Sequence, residues 1–283
     1  MIDNNELKDL KTKGFIKTKG TEYFTIRIVT DVGNMTSEQL MVISRVAKDY
    51  GRGYVGFTTR LGVEIPWIQY DDIPNVRKSL IDADITIGGT GTKVRAVVAC
   101  KGTVCLHGII DTQKRGRQLH KEYFGDITPS KFKIGVIGCP NNCAKAQLHD
   151  LGFMGQIVPE YIPDNCTGCE LCIDECRVDA ISMQGDIIAI DRELCVNCGK
   201  CIPACHFGAL EERDKGVAVF VGGKFGRQHR IGYRLGKIYS DEEMVDLTGR
   251  MIDFYREHGE GKERFGDMIE RIGIDVFEEG IKK

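Results

Sequence analysis

Two kinds of hydrophobic pattern divide the first hundred residues. Residues 22–30, EYFTIRIVT, are rich in β-branched and aromatic side chains and predict a strand. In residues 36–49, TSEQLMVISRVAKD, Leu40, Ile43 and Val46 repeat at helical spacing behind Thr36 or Ser37 as N-cap, which predicts an amphipathic helix. Two further strands fit Gly53–Thr58 and Gly62–Ile68. A second helix fits Ile73–Ala83, with Asp71 or Asp72 near its cap. Strand, helix, two strands and helix make a compact α+β unit on an antiparallel sheet.

The pattern then changes. VRAVVAC is an apolar strand running into Cys100, a helix spans about Thr112–Phe124, and KFKIGVIGC is a buried strand running into Cys139. Two cysteine pairs thus fall at strand ends, where a rigid sheet positions functional loops. Residues 161–212 form a separate module. Two cysteine runs start 29 residues apart, and between them AISMQGDIIAID predicts a hairpin turning at Gln184–Asp186. GVAVFVGG (216–223) returns to strand character, and 241–257 to helix with Ser240 or Asp241 as cap. The module therefore reads as inserted into a larger α+β domain.

Composition narrows the class. Hydrophobic residues make up 42% and charged residues 28% of the 283, as in a soluble globular protein, and a net charge of −2 does not mark a nucleic-acid binder. The start MIDNNELKDLKTKG has no apolar segment of a signal peptide, and no apolar run is long enough to span a membrane. Tight cysteine runs in a chain without a signal peptide read as metal ligands rather than disulfides, so a reducing, anaerobic cytoplasm is expected.

All twelve cysteines fall into three sets of four. Cys166, Cys169, Cys172 and Cys176 form C-x2-C-x2-C-x3-C, and Cys195, Cys198, Cys201 and Cys205 repeat it. In this motif three thiolates of one loop bind one cluster and the fourth crosses to the other. The expected sets are Cys166, Cys169, Cys172 and Cys205 for one cluster, and Cys176, Cys195, Cys198 and Cys201 for its neighbour. Arg177 and His206 stand where proline usually follows the fourth cysteine, which alters the turn and removes no ligand. Zinc sites would draw their ligands as two separated pairs, so this register favours clusters. The third set is Cys100 and Cys105 (C-x4-C) with Cys139 and Cys143 (C-x3-C). Alone it fits either zinc or a cluster.

The residues around that third set decide. ACKGTVCLHGIIDT and KFKIGVIGCPNNCAKAQLHDLGFMGQ resemble the sirohaem- and cluster-binding segment of the nitrite/sulfite reductase family. GFTTRLGVEIP (56–66) resembles its substrate-side strand, and the cysteine module and VGGKFGRQHRIG resemble dissimilatory and anaerobic sulfite reductase subunits. The family usually spaces its first two cysteines C-x5-C, so this loop is one residue shorter. The resemblance implies an α+β fold: a ferredoxin-like half domain over 1–93, a sirohaem and [4Fe-4S] domain over 94–160 and 213–283, and an inserted two-cluster ferredoxin domain over 161–212.

The resemblance also implies roles. Cys143 matches the cysteine that bridges cluster and sirohaem. Arg60, Arg95, Lys131 and Lys133 match the cations that meet the oxyanion, although KFK alone could be an exposed strand edge. Arg27 is a candidate partner for the sirohaem carboxylates or else a surface residue. Thr59 and Thr92, the latter in the glycine-rich IGGTGTK, are further cofactor candidates, and no histidine is assigned a catalytic role. The implied cofactors are sirohaem and three [4Fe-4S] clusters. The implied reaction is six-electron reduction of sulfite to sulfide, with ammonia-forming nitrite reduction, or a non-catalytic electron-transfer subunit, as alternatives. No flavin or nicotinamide motif is present, so a protein donor, a ferredoxin or flavoprotein subunit, is expected. Because larger members carry the repeat twice, a homodimer or a heteromer with a related subunit is expected, with sites shared between chains.

Overall fold

The computed structural model of the chain describes residues 2–282. Four strands form the first sheet: β1 (Phe15–Lys17), β2 (Phe24–Ile28), β3 (Gly56–Phe57) and β4 (Val63–Ile68), in the order β1-β2-β4-β3 with every pair antiparallel. Alternation along β2 buries Phe24, Ile26 and Ile28 and turns Thr25 and Arg27 to the other face. On the buried face lie α2 (Ser37–Tyr50) and α3 (Ile73–Ile81), whose Ile43, Val46, Val76 and Leu80 pack against Ile26, Ile65 and Ile68. Thr36 is the cap of α2. Its hydroxyl accepts the Gln39 N–H, and the Gln39 side chain returns to the Thr36 N–H, closing a capping box. Leu40 is 46% exposed and lies off the packed stripe, which instead continues through Ala47. An unforeseen helix, α1 (Asn4–Thr12), precedes β1.

The second sheet holds β5 (Val98–Ala99), β6 (Ile134–Ile137), β7 (Leu151–Tyr161), β10 (Leu210–Val221) and β11 (Tyr233–Tyr239), ordered β11-β10-β7-β6-β5. β5, β6 and β7 are parallel, whereas β10 is antiparallel to both β7 and β11. All four residues of β6 are buried, as suits a strand covered on both faces. α4 (Thr112–Tyr123) supplies the crossover between β5 and β6. It packs with α7 (Met244–His258), α8 (Phe265–Ile272) and α9 (Ile274–Gly280) around a core that includes Val136, Phe153, Val219, Met251 and Phe265. α7 begins three residues later than the expected 241, because Ser240 first closes a turn with Glu242 and Glu243.

Between β7 and β10 lie two four-residue helices, α5 (Leu171–Asp174) and α6 (Cys201–Ala204), and a hairpin of β8 (Ile181–Gln184) and β9 (Ile187–Ile190). β7 and β10 pair from Leu151–Val221 at the core end to Tyr161–Leu210 at the cysteine end. One ribbon therefore carries both the core and the cysteine loops.

Phe265 joins the terminal helices to the sheet. It is fully buried, and its ring meets those of Phe132, Tyr255 and Phe277 edge-on at 5.0, 5.3 and 5.5 Å. Phe265→Ala should lower the unfolding free energy by about 3–5 kcal/mol, read as an earlier urea midpoint.

Candidate functional site

Strand ends and caps set the third cysteine group. Cys100 follows β5, and its carbonyl accepts Thr112 Oγ1 at 2.7 Å and Gln113 Nε2 at 3.0 Å from the start of α4. Cys139 follows β6. The turn to Cys143 uses Asn142 at φ 53°, a conformation asparagine tolerates, and Asn142 Oδ1 accepts the Ala146 N–H at 2.7 Å. The Gly138 N–H points to Cys100 Sγ at 3.1 Å. Despite the shorter loop, Cys100, Cys105, Cys139 and Cys143 line one cavity of about 630 Å³.

A second cavity of about 350 Å³ lies beside it, lined by Arg27, Thr58, Thr59, Arg60, Gly89, Arg95, Lys131 and Lys133 among others. Thr59, Arg60 and Lys133 line both. The two hollows are thus halves of one cleft, with the thiols in one half and with Arg60 and Lys133 shared with the cation-lined other. Lys131 and Lys133 occupy an extended lead-in to β6 rather than the strand itself, bridged to Val94 through Phe132, and both reach the cation half. Thr92 is exposed and lines neither half; the glycine-rich loop contributes Gly88 and Gly89 instead.

Among the described residues, Arg60, Arg95, Lys131 and Lys133 have no carboxylate partner. Arg60 Nη2 donates to the Ala96 carbonyl at 2.7 Å, and Arg95 donates to the Gly89 and Gly91 carbonyls at 2.5 and 2.9 Å. Arg95 Nε is buried with no hydrogen-bond partner among the described residues. Arg27 is the exception, since Glu64 accepts from it at 2.6 and 2.9 Å. Burial, with the repulsion of neighbouring cations, lowers Arg60 to about 10 and Lys133 to about 8, and moves Arg95 and Lys131 down as well. Several desolvated positive charges facing one hollow have the chemistry to receive an anion.

Sequence reasoning missed Asp150 and Arg264. Asp150 is 1% exposed, and Arg264 Nη2 donates to both of its oxygens at 2.7 and 2.9 Å. Asp150 Oδ2 also accepts the Lys133 N–H at 3.0 Å. Burial pushes the Asp150 carboxyl up, and Arg264 and Lys133 oppose that shift. The two residues are 114 apart in sequence, and no local motif could have joined them.

In the two-run module, Cys166, Cys169, Cys172 and Cys205 line one small hollow, and Cys176, Cys195, Cys198 and Cys201 line the next. Cys176 Sγ accepts from Ala180 N at 3.3 Å, and Cys205 Sγ from Ala209 N at 3.2 Å, so the repeat extends to the hydrogen bonds. None of the twelve cysteines is paired in a disulfide. Among the described residues, no three His, Cys, Asp or Glu side chains converge closely enough to hold a single metal ion. Thiols spread around a hollow fit a multi-iron cluster better than one zinc ion. The 630 Å³ cavity, joined to a cationic one with an orphaned arginine nitrogen, fits a carboxylate-rich macrocycle beside the third set.

Residues 90–283 match the nitrite and sulphite reductase 4Fe-4S domain, and residues 16–83 match the nitrite/sulfite reductase ferredoxin-like half domain. The chain belongs to the nitrite and sulfite reductase family. Within it, the chain is 32% identical to an uncharacterised protein of Methanocaldococcus jannaschii over 92% of its own length and 91% of that protein. It is 30% identical to the alpha subunit of the dissimilatory-type sulfite reductase of Allochromatium vinosum, over 95% of its own length and 71% of the subunit. Its fold matches the crystal structure of dissimilatory sulfite reductase I with a TM-score of 0.73 at 20% identity, covering 92% of this chain and 69% of that one. The α+β family fold and the family's iron–sulfur chemistry are therefore those of this chain. No described helix is long and apolar enough to cross a membrane.

Asp150→Asn would leave Arg264 buried without its counter-charge. The expected loss is about 3–5 kcal/mol of stability, measured by chemical denaturation.

Proposed function

We propose that this member of the nitrite and sulfite reductase family is a sirohaem-dependent sulfite reductase subunit that carries out six-electron reduction of sulfite to sulfide. The observation that carries this reading is the single cleft in which Arg60 and Lys133 border both the Cys143 side and the cation side. In this reading Cys100, Cys105, Cys139 and Cys143 hold one [4Fe-4S] cluster, and Cys143 also anchors sirohaem. Arg27, Thr59 and Arg95 face the macrocycle's carboxylates or the anion. Sirohaem, when bound, supplies an iron that accepts the substrate and passes it electrons. Arg60, Arg95, Lys131 and Lys133 neutralise the anion and stabilise charge as oxygen departs as water. Nitrite presents the same charge pattern to the same cations, so it is the alternative substrate.

Two hydrogen bonds to β7 support a proposed electron route. Ile157 N donates to the Asn197 carbonyl at 2.9 Å, and Gln156 Nε2 donates to the Val196 carbonyl at 3.3 Å. These bonds hold the Cys195–Cys198 loop against β7. One residue earlier, a Cβ on Gly155 would fall 2.4 Å from the Gly138 carbonyl, so the backbones touch beside Cys139. The cluster of Cys176, Cys195, Cys198 and Cys201 is therefore proposed as the one adjoining the catalytic centre, and the cluster of Cys166, Cys169, Cys172 and Cys205 as the entry point from a protein donor. Val104 and Leu106, 81% and 98% exposed in the Cys100–Cys105 loop region, offer apolar surface for a second copy or a related subunit. A reducing cytoplasm suits the exposed Cys105, Cys143 and Cys169.

Protein purified without air should contain about twelve cluster irons and one sirohaem iron, and should reduce sulfite with a reduced viologen as donor. Zinc without labile sulfide would rule out the cluster assignment. Lys133→Ala should lower turnover by about 100- to 1000-fold with metal content unchanged; normal turnover would remove Lys133 from the anion site. Lys133 carries its full charge well below pH 8 and loses it as pH rises through about 8. Anion affinity should therefore fall across that range, and Lys133→Arg should move the fall to higher pH.

A further inference from the structure

His149 lies on the wall between the two halves of the cleft and is 7% exposed. Its ring is held at both nitrogens. Nε2 is 3.0 Å from the Ala144 carbonyl, the residue after Cys143, and Nδ1 is 3.5 Å from Arg60 Nη1. A carbonyl only accepts and a guanidinium only donates. The ring must therefore carry its proton on Nε2 and present a bare Nδ1 to Arg60, which is one neutral tautomer. A proton on Nδ1 would oppose the Arg60 N–H directly. Consistent with this, burial and the Arg60 charge push the imidazole down to about 3.

The space for the ring is provided by a strand position with no side chain. Lys131, Lys133 and Gly135 alternate to one face. At Gly135 an added Cβ would fall 2.6 Å from His149 Cδ2 and 2.7 Å from Nε2. The ring thus occupies the next place in the row begun by the two lysines. Arg60 itself has one other anchor, the Ala96 carbonyl on Nη2. Without His149 the Nη1 side of the guanidinium would be free to turn.

We infer that His149 is a positioning residue whose neutral ring aims the Arg60 guanidinium at the anion half of the cleft and ties it to the backbone of the Cys143 loop. Anion recognition and the thiolate loop then share one rigid link, Arg60–His149–Ala144. This inference rests on the proposal that Arg60 meets the substrate anion.

The test measures the dissociation constant for sulfite on as-isolated holoenzyme by visible titration, with iron content and the thermal midpoint as controls, for His149→Phe, Arg60→Lys and the double variant. His149→Phe keeps the ring and removes both polar contacts. It should weaken sulfite binding about tenfold, in line with loss of a hydrogen bond to a charged group, with iron content unchanged. If His149 acts through Arg60, the double variant binds sulfite no more weakly than Arg60→Lys alone, because coupled residues are not additive. Weakening in the double variant equal to the product of the two single effects overturns the inference, as does a His149→Phe constant within about twofold of the parent. An unchanged constant in Arg60→Lys overturns the anion role of Arg60 and this inference with it. Should His149→Phe fail to fold, Gly135→Ala displaces the ring from the other side. It is expected to weaken sulfite binding similarly, and an unchanged constant there overturns the inference.

Discussion

The buried carboxylate of Asp150 ties the cleft to the fold. Its side chain accepts the Lys133 N–H and two bonds from Arg264, and its backbone carbonyl accepts the Gly222 N–H at 2.8 Å. One residue therefore joins the lead-in to β6, the start of β7, the end of β10 and the start of α8. A buried charge is tolerated only when paired and hydrogen-bonded, and here the pairing fixes where Lys133 stands. Asp150 pairs directly with Arg264 and reaches the cleft cations only through space, so its charge offsets theirs in part and burial still lowers them. The same group thus builds the wall and leaves part of the positive charge available.

The cations have a related logic. Arg60 and Arg95 are held by backbone carbonyls and, at Arg60, by the His149 ring, which orient a guanidinium without cancelling its charge. Desolvated and mutually repelling cations raise the free energy of the empty cleft, and an entering anion relieves that cost. The aspects that make the site unfavourable on its own are those that favour the entry of an anion.

Legibility in the sequence followed the range of the forces involved. α2 was readable because its stripe and cap lie close together in the chain. The cysteine sets were readable because cluster geometry imposes tight spacing; in the fold, Cys205 lines the hollow of the first run and Cys176 that of the second. β7 escaped notice because Gly152, Gly155 and Pro159 disfavour a strand locally. The glycines are there because a Cβ would strike the Ala146 and Gly138 carbonyls, and Pro159 stands opposite Glu212 beside a register shift, so the causes are tertiary. Arg264 and His149 were invisible for the same reason. Neither has a local signature, and each acquires meaning only from a partner far along the chain. Thr92 sits among glycines, and the loop leaves it exposed.

The long pairing of β7 with β10 has a mechanical consequence. The ribbon runs unbroken from the core sheet to the cysteine loops, with one register shift between Glu212 and Asp214. A two-stranded strut further pinned at Ile157 does not behave as a flexible tether. In the proposed relay the spacing between neighbouring metal centres is then a constant of the fold rather than a distance sampled by domain swinging. Diffusion would enter only where an outside donor arrives, and solvent viscosity would act on that encounter alone.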